Sequence, residues 1–293
     1  MKVRSIMLVV ASLILSVLLC EAGVRAFGFG GMMEFEPDPS WGYLMRGPQR
    51  VSVYGHPVII NSEGLRGPEL APKKPVGVKR VLFLGDSITY AGGRIREEEL
   101  FVRQVEAFLG KTLPVEVINV SAPGWSPQNW IGFVEKRGLY DADVVVAVIP
   151  EVDLARPFSS MELHGLRQDA PPLQLAWFVV KAWRQVSPPA GDLWKDINPN
   201  VEARQNIAAV ERLIEIADQS GRTAVVVLVP SVPSEADGSQ WAPYEDFGVP
   251  TIDLRPVLTE PSYFLDGVHL GAAGHEVAAK NIGPVILAAL KAR

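Results

Sequence analysis

The chain is nearly without cysteine and short of histidine: one Cys, Cys20, and four His in 293 residues. Cys20 lies in the first apolar stretch, so the folded part has no thiol pair for an internal disulfide and no thiolate metal site. The cysteine count therefore says nothing about redox compartment. A basic excess is missing as well: 28 Lys and Arg stand against 33 Asp and Glu, the formal net charge is -5, and there is no basic stripe. A nucleic-acid partner has no electrostatic footprint here. Fixed-period repeats, heptads and low-complexity tracts are also absent, which excludes solenoids and coiled coils. What is present is apolar: 48% hydrophobic residues, enough for a substantial core.

The first apolar run, SIMLVVASLILSVLLC, is uncharged from Ser5 to Cys20 and follows Lys2 and Arg4. At about 1.5 Å per residue it covers roughly 24 Å, short of a hydrocarbon core of about 30 Å. Snorkelling of Lys2 and Arg4, with Ala22 to Val24, makes up the difference. Two readings stay open. One is an uncleaved membrane anchor; the other is a signal peptide cleaved at small residues, Cys20 with Ala22 or Val24 with Ala26. A lipoprotein reading through Cys20 meets the bulky Leu19 just before it. Both surviving readings put the N-terminus in the cytoplasm and the rest of the chain outside, on the periplasmic or cell-surface side, with the membrane as partner of this segment. The anchor is the expectation.

Residues 1–28 form this segment, and 29–78 read as a Gly/Pro-rich spacer that partly packs as hairpin, as in VSVYGHPVII, with Pro68, Pro72 and Pro75 marking its end. From residue 79 to 293 strands and helices alternate: VLFLG, a helix over EEELFVRQVEAFLGKTL, VEVINV, a helix from about Gln128 to Arg137, and DVVVAVI. After an interruption come a helix over 201–219, the strands TAVVVLVP and VPTIDL, and a closing helix from about Ala273 to Lys291. Alternation of this kind means βαβ units. It predicts an α/β fold, a flavodoxin-like three-layer α/β/α sandwich with a mostly parallel five-stranded sheet. The insertion at about 155–200 holds LQLAWFVVKAWRQV with Trp177, Trp183 and, later, Trp194; it reads as a helix on the core, a lid, or a surface dipping into the membrane.

The apolar run VLFL ends in Gly85-Asp86-Ser87, which places a serine at the carboxyl end of a strand, where open α/β sheets bind ligands. Helix capping by Ser87 is the plainer alternative. Near the other terminus, Asp266 and His269 stand three residues apart just before the last helix. On a turn, that spacing brings a carboxylate to one imidazole nitrogen and leaves the other free to face a neighbouring loop. A catalytic serine needs those two partners, a base for its proton and a carboxylate to hold the ring.

On these residues the chain resembles the SGNH hydrolases of the GDSL lipase/esterase superfamily. GDSIT (85–89) is similar to the first block of the family, NVSAPGWS (119–126) to the second and LDGVHLGAAGH (265–275) to the last. INSEGLRGPE and the apolar N-terminus are similar to membrane-anchored bacterial members. The resemblance implies Ser87 as nucleophile, Asp266 and His269 as the rest of the triad, and the backbone of Ser87 and Gly124 as oxyanion donors. The third block departs from the family's Gly-x-Asn-Asp: here Pro150-Glu151-Val152-Asp153 puts Val152 where the donor asparagine belongs. Loss of such a donor costs about 2.7–4 kcal/mol, so the expectation is a slower enzyme, with Asn129 or a substrate hydroxyl as substitute donor.

The resemblance thus implies an extracytoplasmic serine esterase acting on an O-acyl ester, O-acetyl included, of a carbohydrate or lipid, with no cofactor. Two alternatives accompany it: acyl transfer to a sugar hydroxyl through the same triad, and a catalytically weak carbohydrate-binding envelope subunit, for which Val152 is the best support. The other polar residues read more plainly. His56 and His164 stand alone without metal-ligand spacing, so no metal is assigned. His275 reads as a packing residue, Asp86 as the organiser of its turn, and Glu97-Glu98-Glu99 as a solvated first helical turn.

Overall fold

Three stretches, VLFL, VVVAVI and AVVVLV, run apolar without alternation, the pattern of strands covered on both faces, and in the computed structural model each becomes a strand, as do VEVINV and TID. Residues 2–27, 31–53, 55–71, 73–186, 197–232, 234 and 238–292 are described. Pro72 and Trp194, both noted in the sequence, lie outside them.

Helix α1 (Lys2–Ala26) is long and apolar enough to cross a membrane, and none of its most apolar window is buried by the rest of the protein. Two antiparallel hairpins follow, β1 (Phe35–Asp38) with β2 (Gly42–Met45) and β3 (Gln49–Val53) with β4 (His56–Ile60). Their inward side chains, among them Phe35, Tyr43, Met45, Val58 and Ile60, share one cluster with Leu82, Leu84 and Trp125 of the α/β unit.

The sheet comprises β5 (Lys79–Gly85), β6 (Val115–Ser121), β7 (Val144–Pro150), β8 (Thr223–Val229) and β9 (Thr251–Asp253), all parallel, in the order β6-β5-β7-β8-β9. This is the flavodoxin-like doubly wound order. Alternate residues of the strands face two cores. Leu82, Leu84, Val145 and Val226 meet α4 (Pro127–Arg137) and α6 (Pro199–Gln219) on one side. Val81, Phe83, Val146 and Val227 meet α3 (Phe101–Leu109) and α8 (Ala272–Lys291) on the other. The insertion carries α5 (Gln174–Val186), and a short α7 (Gly238–Glu245) with Pro243 inside it follows β8.

One expected helix is broken. In place of a continuous helix over EEELFVRQVEAFLGKTL, a 3₁₀ turn at Glu97–Glu99 is separated from α3 by Leu100 in extended conformation. Two pulls act there: Leu100 is wholly buried, and Glu97 is drawn 2.8 Å from the guanidinium of buried Arg66. Arg66 in turn donates to the carbonyls of Tyr90 and Ile95, which ties the hairpin region to the loop after β5. Chain reversal between β5 and its two neighbours leaves a crevice at the carboxyl ends of β5, β6 and β7, and the loops carrying Ser87, Gly124 and Val152 border it.

Candidate active site

β5 ends at Gly85, where the chain must turn tightly: a Cβ there would stand 2.0 Å from Thr89 Oγ1, so only glycine fits. Asp86 caps the four-residue helix α2 (Ser87–Tyr90), its carboxylate accepting from the Ile88 amide at 2.8 Å. The aspartate is fully buried and organises the turn. This sets Ser87 at the first helical position, its Oγ 3.2 Å from Asp86 Oδ2.

From the far end of the chain, the loop before α8 brings His269 Nε2 to 2.9 Å from Ser87 Oγ. His269 Nδ1 lies 2.9 Å from Asp266 Oδ2 and 3.0 Å from Oδ1, and the His269 amide donates to Oδ1 at 2.9 Å. The loop is closed below by the Leu265 amide donating to the His269 carbonyl and by a Phe264–Leu270 bridge. Ser87, His269 and Asp266 are thus brought together in hydrogen-bonding sequence. A further group, absent from the sequence reading, joins them: Arg94 Nη1 donates to Asp266 Oδ2 at 2.6 Å. Burial alone would raise the Asp266 carboxyl, but the His269 amide, Arg94 and the His269 ring outweigh it and hold it well below the usual carboxylate range.

Gly124 lies in the loop after β6 with φ +75. A Cβ here would meet the His164 ring at 2.3 Å, so both backbone and space demand glycine. Ser159 Oγ donates to the Gly124 carbonyl at 2.5 Å and lies 3.2 Å from His164 Nε2. His164, which stood alone in the sequence, therefore braces the Gly124 peptide. Burial, with Arg156 nearby, lowers its pKa to about 4, so the ring is neutral at pH 7.

After β7, the 3₁₀ turn Glu151–Asp153 exposes Val152 and buries its neighbours. Glu151 accepts from the Ser231 amide at 3.0 Å and from Ser234 Oγ at 2.9 Å, joining the ends of β7 and β8. Asp153 Oδ1 accepts from Arg156 Nε, and its Oδ2 has no partner among the described residues. Burial, reinforced by Asp86, raises the Asp153 pKa well above the carboxylate range despite Arg156. Val152 offers no donor. Asn129 does not replace it: its Oδ1 accepts from the Ser126 and Ser159 amides, and its Nδ2 donates to the Trp41 and Ser159 carbonyls.

His275 packs as expected, stacked on Phe101 and accepting from its amide at 3.2 Å. His56 sits on β4, away from these residues. Among the described residues no group of His, Cys, Asp and Glu is arranged to hold a metal ion. Beside Ser87 and His269 a cavity of about 330 Å³ is walled mainly by apolar side chains, including Met33, Phe35, Tyr90, Leu166 and Trp177.

No protein-family model matches the chain, and no curated protein matches it. Solved structures of similar fold include an acetylxylan esterase from Geobacillus stearothermophilus, at 18% identity and TM-score 0.46, covering 71% of this chain and 94% of that one. A G-D-S-L family putative lipolytic protein from Desulfitobacterium hafniense aligns at 14% identity and TM-score 0.43, covering 71% and 99%. A two-domain esterase active on acetylated mannans aligns at 13% identity and TM-score 0.46, covering 73% of this chain; the alignment takes in 50% of that protein.

Proposed function

We propose that this chain is an SGNH-type serine esterase acting outside the cytoplasm from an uncleaved membrane anchor. The observation that carries the reading is the unbroken relay Ser87 Oγ–His269 Nε2 at 2.9 Å and His269 Nδ1–Asp266 Oδ2 at 2.9 Å. Helix capping does not account for it, since Asp86, not Ser87, caps α2.

Ser87 Oγ attacks the ester carbonyl carbon while His269 Nε2 takes its proton, and Asp266 holds the ring and stabilises it when charged. The tetrahedral intermediate collapses as His269 returns the proton to the departing alcohol. Water, activated by the same nitrogen, then releases the acid from the acyl-enzyme. The oxyanion is met by the amides of Ser87 and Gly124. With valine at position 152 the third donor is missing, a deficit of about 2.7–4 kcal/mol, or about 10²–10³ in rate. A slow esterase follows, and transfer of the acyl group to a sugar hydroxyl obeys the same chemistry.

Retention of the anchor is supported by bonds that cleavage would remove, those of Glu21 at either Ala22 or Ala26 and that of Arg25 at Ala26. Glu21 accepts from the amides of Gln174 and Leu175, and Arg25 donates to the Pro172 carbonyl.

The test uses the full chain in detergent, with hydrolysis of short acyl esters and labelling by a serine-reactive phosphonate. Wild type turns over and labels; Ser87→Ala does neither. A folded wild type that neither labels nor turns over, even with acetylated sugars present, sinks the esterase reading and leaves the carbohydrate-binding subunit.

A further inference from the structure

A helix that exposes a cluster of large apolar side chains needs a partner, and α5 is such a helix. Val179 is 56% exposed and Trp183 68%, with Phe178 and Val180 exposed beside them. Its sequence, QLAWFVVKAWRQV, has only two charged residues, Lys181 and Arg184. Contiguous apolar exposure of this kind marks an interaction surface on a soluble domain.

The occupant is indicated by what α5 is fastened to. Its first turn is held by the last turns of α1, the one helix among those described that is long and apolar enough to span a bilayer. Glu21 is buried at this joint and accepts from the Gln174 amide at 3.0 Å and the Leu175 amide at 2.8 Å. Arg25 closes it, donating to Glu21 at 2.6 Å and to the Pro172 carbonyl at 3.0 Å. Three hydrogen bonds from α1, with the Arg25–Glu21 pair holding the donors and acceptors in place, therefore fix the start of α5 at the level where α1 leaves the membrane. At that level tryptophan and long cationic side chains settle between headgroups and acyl chains.

The same helix also reaches the catalytic cleft. Trp177, on the side of α5 turned toward the protein, lines the cavity beside Ser87 and His269 and stacks under the Arg167 guanidinium at 5.7 Å. One short helix of 13 residues thus has one side in the site and another facing where the bilayer must lie. We infer that α5 lies in the outer membrane–water interface and that the substrate is an amphiphilic ester carried by that same bilayer, reaching Ser87 through the apolar cavity walled by Trp177.

The substrate half of this inference rests on the esterase reading, whereas the docking half does not. The test therefore has two arms, both on the full chain in phospholipid vesicles. In the first, Cys20→Ala removes the one native thiol, and a spin label is placed at Trp183→Cys, with Val76→Cys as an exposed control far along the chain. The Trp183 label is reached by membrane-dissolved oxygen and shielded from a water-soluble nickel chelate, and the Val76 label behaves oppositely. In the second arm, turnover of a long-chain acyl ester dissolved in the vesicles is compared with that of a water-soluble acetate ester. The double variant Val179→Asp/Trp183→Asp loses roughly tenfold or more on the vesicle ester and nothing on the soluble one. A Trp183 label as accessible to nickel as the Val76 label overturns the docking. Turnover of the soluble ester without the vesicle ester, or equal loss on both in the double variant, overturns the membrane-borne substrate while the esterase stands. Turnover of neither ester by wild type fails the esterase reading itself and leaves the label to decide the docking.

Discussion

The two sides of Ser87 are built from opposite materials. On the relay side, His269 and Asp266 have side chains 33% and 39% exposed, yet both nitrogens of the ring and both oxygens of the carboxylate are bonded. On the oxyanion side, the loop after β7 buries Glu151 and Asp153 and leaves Val152 as its one exposed side chain. Packing explains Glu151, which ties two strand ends, and Asp153, which is locked to Arg156 and Asn206. It does not explain Asp266 and His269, which bury little apolar surface and whose bonds lead to Ser87. Polar residues that packing leaves unexplained speak for chemistry, and the relay side holds them.

The largest way to break this contrast is through the relay. Asp266→Asn keeps the shape of the loop but can no longer hold His269 in the tautomer that accepts a proton, and kcat should fall by about 10⁴-fold. The change is read as single-turnover acylation by a short ester. A drop of only a few-fold would mean that Arg94, the amide of His269 and solvent suffice to orient the ring, and that the relay is not the working part.

The next largest effect sharpens the other side. Val152→Asn restores a side-chain donor at an exposed position, so it costs little packing, and it should raise kcat with KM little changed, by up to about 10²–10³-fold. No gain, in a variant that labels with phosphonate as fast as wild type, would show that the turn at Glu151–Asp153 aims position 152 away from the developing oxyanion.

This asymmetry also governs what was legible beforehand. Three strands, β5, β7 and β8, are legible as nearly unbroken apolar runs, β6 and β9 by their place in the alternation with helices, while the strand order itself comes only from the pairing. Ser87, Asp266 and His269 were legible because each sits in a short local motif at an element boundary. The parts that escaped act over distance. Arg94 and Asp266 are 172 residues apart, and nothing local marks the arginine. His164 looked solitary because its partners, Gly124 and Ser159, meet it only after the loop folds back. Asn129 looked available as a donor because its five side-chain bonds are tertiary or capping contacts. Hairpin β1–β2 went unread because Phe35–Asp38 contains a proline and lacks alternation, its strand character coming from pairing and from burial of Phe35 against the core.

The smallest expected effect tests whether the oxyanion side is held by a neutral imidazole. His164 Nε2 can donate to Ser159 Oγ while Ser159 donates to the Gly124 carbonyl, and burial beside Arg156 disfavours a second ring proton. Its folded pKa of about 4 lies below the ordinary 6.5, so the unfolded chain binds the proton first. The stabilisation is therefore fully present above pH 6.5 and is lost as the pH falls from about 6.5 to about 4. After discounting for the ring's partial exposure, it amounts to about 1–2 kcal/mol, or about 2–5 °C in Tm. His164→Gln keeps a donor to Ser159 but does not titrate, so the fall in Tm between pH 7 and pH 4.5 should shrink by that amount. The slope that remains is a sum of opposite parts: His275, pushed down to about 3 by burial, adds a further loss toward low pH, while Asp153, raised by burial, adds stability in that direction. An unchanged slope in His164→Gln would mean that the ring is solvated and does not brace Gly124, and the oxyanion side would then owe its shape to Ser159 and Asn129 alone.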